Sequence, residues 1–153
     1  MSQQIIFADG TSLDVAVVKG QSIYHQGAQR DSLEIQIAKS TITFDALNTL
    51  TADSSKTDRL KLHWKEEERY IDGTSKIVDR ESVYNHYVLR TALSLKPIEI
   101  TPATPDTPAV TEDRLCVTLA QLTYAEVQQA AQAAAIADMQ EAITALAFGG
   151  GEA

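Results

Sequence analysis

Ser32–Leu50, SLEIQIAKSTITFDALNTL, changes its hydrophobic period within one line of sequence, and that change decides the fold class. Leu33, Ile35 and Ile37 alternate with Glu34, Gln36 and Ala38, the two-residue period of a strand with one face in a core. After Lys39-Ser40, the apolar residues Ile42 and Phe44 lead into Ala46, Leu47 and Leu50, which are spaced for one face of a short helix. A strand followed by a small helix is therefore the centre of an N-terminal domain. No residue in the stretch has an evident chemical task.

Towards the N-terminus, Gln4–Lys19 holds two apolar runs around Asp9-Gly10. An Asp-Gly pair between strand-like residues predicts a hairpin with a type I′ turn, and strands at about 3–8 and 12–19. Gly20 and Gly27 bracket Gln21–Gln26, read as a short strand or ordered loop. Beyond the central stretch, the polar run Thr51–Thr57 predicts a loop. Leu60, Leu62 and Trp64 alternate with Lys61 and His63 as the next strand, Lys65–Arg69 (KEEER) reads as a solvated charge run, and Asp72-Gly73 marks a turn. From Lys76 to Ile100 the pattern predicts one long half-buried strand, with Tyr87, Leu89, Thr91, Leu93 and Leu95 on one face and Tyr84, His86, Val88, Arg90 and Ala92 on the other.

Composition changes at Thr101. Pro102, Pro105 and Pro108 lie three apart in TPATPDTPAV, the period of polyproline II, which predicts a stiff strut spanning roughly 30 Å at about 3.1 Å per residue. The expected architecture is α+β: a β-rich domain over residues 1–100, an antiparallel sandwich or barrel with one short helix; a Pro-rich linker over 101–110; and residues 111–153 as an edge strand, with Leu115, Val117 and Leu119 on one face, plus a C-terminal helix. Thr123 and Glu126 have capping-box spacing. The helix should run to about Ala147, where Gly149-Gly150-Gly151 stops it. Ala130, Ala131, Ala133, Ala134, Ala135 and Ala137 leave its middle nearly bare, while Ile136, Met139, Ile143 and Leu146 form a narrow stripe. A helix that buries so little alone predicts a partner, either another helix or the body of another subunit, or else a fold back onto its own domain; Ala130, Ala134, Ile136, Met139, Ile143 and Leu146 are the candidate contact residues.

The totals exclude several function classes. A chain of 153 residues, 44% hydrophobic and 22% charged, is long enough for an ordinary globular core. It has no long apolar run, and its opening MSQQIIFADG lacks the basic start and apolar middle of a secretory signal. A net charge of −8 argues against nucleic acid and anionic membranes as partners, because backbone-phosphate binding needs clustered cations. The lone cysteine, Cys116, sits in an apolar run and reads as a small buried hydrophobe. His25, His63 and His86 lack metal-ligand spacing, and Glu66, Glu67 and Glu68 lack the rhythm of a calcium loop, so no metal or cofactor is expected. Trp64, Tyr70, Tyr84 and Tyr87 are candidates for a ligand groove, although aromatics on strands more often fill cores or interfaces. No nucleophile elbow, P-loop, dinucleotide or kinase motif occurs. Asp14, Asp45 and Asp79 could converge in space, but nothing in the sequence selects them, and no enzymatic activity is expected.

Four segments, IIFADGTSLDVAVVKGQSIYHQGAQRDSLEIQIA (5–38), TFDALNTL (43–50), HYVLRTALSLKPIEI (86–100) and EDRLCVTLAQLTYAEVQ (112–128), resemble small proteins encoded in the tail region of phages and prophages of Firmicutes. The resemblance spans most of the chain and rests on structural rather than catalytic motifs. It implies a virion component of the tail, baseplate or fibre, located in the virion tail and in the host cytoplasm during assembly. Such a component acts through contacts with other tail or baseplate proteins, without a cofactor; the layout of the chain separately predicts a homo-oligomer, since symmetric repetition would bury surfaces that a monomer leaves open. A second expectation, from a different class, is a binding module for host-surface carbohydrate or a phage-encoded inhibitor of a host protein.

Overall fold

The computed structural model describes residues 3–149. The elements in order are β1 (Gln3–Ile6), β2 (Ser12–Val15), β3 (Val17–His25), β4 (Ala28–Ala38), α1 (Phe44–Ala52), α2 (Ser54–Thr57), β5 (Arg59–Arg69), β6 (Ser75–Asn85), β7 (Leu89–Thr101), β8 (Val110–Ala120) and α3 (Tyr124–Gly149). Among the described residues the strands form two antiparallel four-stranded sheets, ordered β2-β1-β5-β6 and β3-β4-β8-β7. The α+β class and the sandwich reading hold. The chain divides after Gln121 into a β-rich unit and a helical unit.

The stretch that changes period is the middle of the β-rich unit. Leu33, Ile35 and Ile37 of β4 stand opposite Leu119, Val117 and Leu115 of β8. All six are buried, and each side chain so removed from water stabilises the fold by about 1.5–3 kcal/mol. The other sheet contributes Ile5, opposite Leu62, together with Leu60, to the same core. Helix α1 adds Leu47 and Leu50. Thr43 caps it by accepting a hydrogen bond from the Ala46 amide at 3.2 Å. Arg90 of β7 ties the helix down by donating to the Asn48 carbonyl at 2.9 Å and to its side-chain oxygen at 2.7 Å.

Several expectations need correction. The apolar run over 12–19 is two strands: Val15 ends β2 in one sheet and Val17 begins β3 in the other. The bend between them is held by the Ala16 amide donating to the Gln36 carbonyl at 2.8 Å. The type I′ geometry is found at Gln26-Gly27, where both φ angles are positive (48° and 78°) and His25 pairs with Ala28. At Asp9-Gly10 only Gly10 has positive φ, 91°, and it follows a tight turn closed by its amide donating to the Phe7 carbonyl at 2.9 Å. Thr51–Thr57 is helical rather than a loop, because α1 runs to Ala52 and Asp53 then caps α2 through the Ser55 amide at 3.0 Å. Lys65–Arg69 is exposed as expected, yet it is the outer end of β5.

The long strand expected over 76–100 is also two strands, β6 and β7, in different sheets. The break is at His86, whose φ is 68°. The His86 amide donates to the Asp58 carbonyl at 2.7 Å, and its Nδ1 lies 3.1 Å from the Asp58 carboxylate.

The proline segment is not a strut between domains. β7 and β8 pair antiparallel up to Thr101 opposite Val110, so the ends of the segment are neighbours at about the spacing of adjacent strands. Residues 102–109 are the loop of this hairpin, tightened by the Thr104 and Thr107 hydroxyls at 2.6 Å. β8 is not an edge strand either: it lies between β4 and β7. The boundary expected at 101–110 therefore falls after Gln121.

In the helical unit, Thr123 and Glu126 close the expected box, with the Thr123 amide donating to Glu126 at 2.9 Å and the Glu126 amide to the Thr123 hydroxyl at 3.2 Å. Gly149 is still helical; Gly150 and Gly151 lie outside the described residues. No helix among the described residues is long and apolar enough to cross a membrane.

Candidate functional site

The first candidate is the face of α3. Ile136, Met139, Ile143 and Leu146 are 55%, 63%, 62% and 76% exposed. Their spacing of three, four and three residues is that of the a and d positions of a heptad, and it gathers them on one narrow seam. Carried backwards, the same frame puts Gln129 and Gln132 at a and d, so the seam turns polar before Ile136. The flanking positions hold Ala135, Gln140, Ala142 and Ala147, all uncharged, while Asp138 and Glu141 lie away from the seam. Ala130 and Ala134 are exposed, but at 100° per residue they fall on the side of the helix opposite the stripe. The six residues expected to make one contact face therefore divide into a four-residue seam and two alanines behind it.

The second candidate is a hollow of about 390 Å³ at one end of the β-rich unit. In the β3–β4 register Gly20 stands opposite Leu33 and Ser22 opposite Asp31. Residues opposite one another, or two apart, share a face of a sheet, so all four lie on the face that carries buried Leu33. Tyr84, opposite buried Leu60 in the other sheet, and Tyr87 line the same hollow. Their rings meet edge to face, with centroids 5.7 Å apart at 89°. Burial, followed by the charge of Asp31, pushes the Tyr87 hydroxyl pKa up, which keeps it a proton donor. Among the described residues the Tyr84 and Tyr87 hydroxyls make no hydrogen bond, and the Asp31 carboxylate has no ion pair.

No known protein family, curated protein or solved structure matches the chain.

The remaining candidates stay apart. Trp64 packs against the core and Tyr70, 46% exposed, lies beyond the end of β5, so neither joins Tyr84 and Tyr87. His63 lies 3.5 Å from Asp79 and His86 3.1 Å from Asp58, and no cluster of metal-ligating side chains occurs among the described residues. Glu66 pairs with Arg80 at 2.9 Å and Glu67 with Arg69 at 3.6 Å. Asp14, Asp45 and Asp79 sit on β2, α1 and β6, with Asp14 accepting from Gln4 at 3.1 Å. Cys116 is buried, and burial pushes its thiol pKa up, away from the thiolate form a nucleophile needs. The sequence reading named both tyrosines of the hollow and missed Gly20, Ser22 and Asp31. Gly20 is visible only as a glycine inside a strand, which does not say what fills the space beside it, and nothing in the sequence singles out Ser22 or Asp31.

Proposed function

We propose that this chain is a structural or assembly component of a phage tail or baseplate, acting by protein contacts rather than by turnover, and that α3 associates with a second copy of itself. The observation that carries the reading is the exposed seam Ile136, Met139, Ile143, Leu146. Four apolar side chains at a and d positions gain little unless another helix covers them, and β-branched residues at a with unbranched-at-β residues at d favour two parallel strands. Charge supports a like partner. The chain carries −8 overall, yet the positions beside the seam are uncharged, so two acidic copies can approach there without like charges meeting. Glutamines at 129 and 132 would fix the register, as polar residues at core positions do in coiled coils. The resemblance of the β-rich segments and the closing helix to tail-region proteins supplies the biological setting.

The experiment is mass spectrometry of purified particles from the strain that encodes the chain. Its peptides should co-sediment with intact tails in fixed proportion to the other tail proteins. A chain found only in the soluble lysate, with virions assembled normally, overturns the assignment.

A further inference from the structure

We infer that the hollow lined by Gly20, Ser22, Asp31, Tyr84 and Tyr87 is a binding site for one residue of a neutral carbohydrate. The inference stands independently of the tail assignment, because it rests on the inner face of the β-rich unit alone.

Gly20 carries the first step. It lies inside β3, on the face whose next inward position towards the core is Val18, opposite buried Ile35. Gly20 is exposed and lines the hollow, so a side chain there would take up part of that space, and glycine in a strand interior weakens the strand. Its φ is not in the left-handed region, so the backbone does not require glycine. A Cβ added there would meet nothing within 4 Å, so packing does not require it either. What the missing side chain does is leave the hollow open. At about 390 Å³ the space is at the small end of the range for ligand sites, roughly 300–1,000 Å³, which suits a single ring rather than an extended molecule.

The lining selects the chemistry. Ser22, Tyr84 and Tyr87 bring hydroxyls that can both donate and accept, and Asp31 brings a pure acceptor. The Ser22 hydroxyl accepts from the Gln29 amide at 2.6 Å, which leaves its proton to donate. A polyol is the ligand whose own groups both donate and accept, and the aromatic carbon of the tyrosine pair gives the C–H face of a sugar ring an apolar surface to pack on. An anion would meet the Asp31 carboxylate on a chain of net charge −8. An ammonium ion would pair with Asp31 but could use the hydroxyls only as acceptors, whereas a polyol uses them in both directions.

The test is an amide chemical-shift titration of the full chain with glucose, galactose, mannose and N-acetylglucosamine, with lysine methyl ester as the cationic control. At least one sugar should shift the Gly20, Ser22 and Asp31 amides saturably, with affinity in the millimolar range. Gly20→Leu fills the hollow and should abolish those shifts, while the rest of the spectrum reports whether the variant is folded. Asp31→Asn, at an exposed position, provides a second variant and should weaken binding about tenfold. The proposal is overturned if none of the four sugars produces saturable shifts, if the shifts persist undiminished in both variants, or if only the cation saturates the site.

Discussion

Gly20 and Gly10 differ in what a methyl group would do, and the difference predicts opposite signs. Gly20 has a φ outside the left-handed region and open space where a Cβ would sit, so Gly20→Ala should raise stability by about 0.5–1 kcal/mol through the lower entropy of the unfolded chain. Gly10 holds φ at +91°, and Gly10→Ala should lower stability by about 1–2 kcal/mol. Urea unfolding of the two variants beside the parent checks both, and a loss of stability at Gly20 would show that the position is strained after all. Asp72 makes a pH prediction at the same scale. The Thr74 hydroxyl, at 2.6 Å, and its amide, at 2.9 Å, donate to the Asp72 carboxylate and hold its pKa below the usual 3.8. A carboxyl group lowered in the folded state binds its proton more readily when unfolded. Its contribution is therefore complete above 3.8 and is lost as pH falls through the lower folded value. The stability difference between the parent and Asp72→Asn should be constant near neutrality and shrink on acidification; a gap that stays constant down the acid limb would show that the carboxylate charge is not what the turn uses.

At the scale of elements, α3 separates two readings of its own surface. Ile143→Asp puts a charge at an a position, where two copies would bury it, and should weaken self-association at least about tenfold. Ala134→Glu puts a charge on the side opposite the seam and should leave association unchanged. Light scattering coupled to size exclusion over a concentration series distinguishes them, and equal effects of both changes would mean that the seam is not the contact. The capping box at Thr123 and Glu126 was legible because both ends of it are side chains with fixed spacing. The alternation of β4 was legible because the buried Leu33, Ile35 and Ile37 alternate with polar side chains. The division of β6 from β7 was hidden because alternation reports the face a side chain takes and not which sheet the strand joins. The trace that could have been read is Asn85-His86, since both residue types tolerate the positive φ that His86 adopts. The proline segment misled for a related reason: proline every third residue is compatible with a stiff rod, but also with a loop whose ends are set by the ladder from Leu89 to Val110. The hollow was half legible, since aromatics announce themselves in sequence whereas an empty position does not.

For the whole molecule, the division after Gln121 sets what each part can do alone. Every residue of the buried core cluster, from Ile5 to Leu119, precedes that division. β8, the last strand, is held on both sides by β4 and β7, and the Gln121 amide closes its end by donating to the Asp31 carbonyl at 2.8 Å. A chain ending at Gln121 should therefore fold cooperatively and retain the sugar-induced shifts at Gly20, because the whole of that site lies within it. Residues 128–147 of α3 are exposed throughout, so their removal should not lower the melting temperature of the β-rich unit when association is absent. It should instead remove the concentration dependence of melting that a self-associating chain shows, since a partner that binds only the folded state stabilises it by mass action. Calorimetry of both chains over a range of concentrations measures this. If the shortened chain melts at the same temperature at every concentration while the full chain melts higher as it is concentrated, association belongs to the helix. If the shortened chain still associates, the contact lies on the sheets, and the seam of α3 is not what brings copies together.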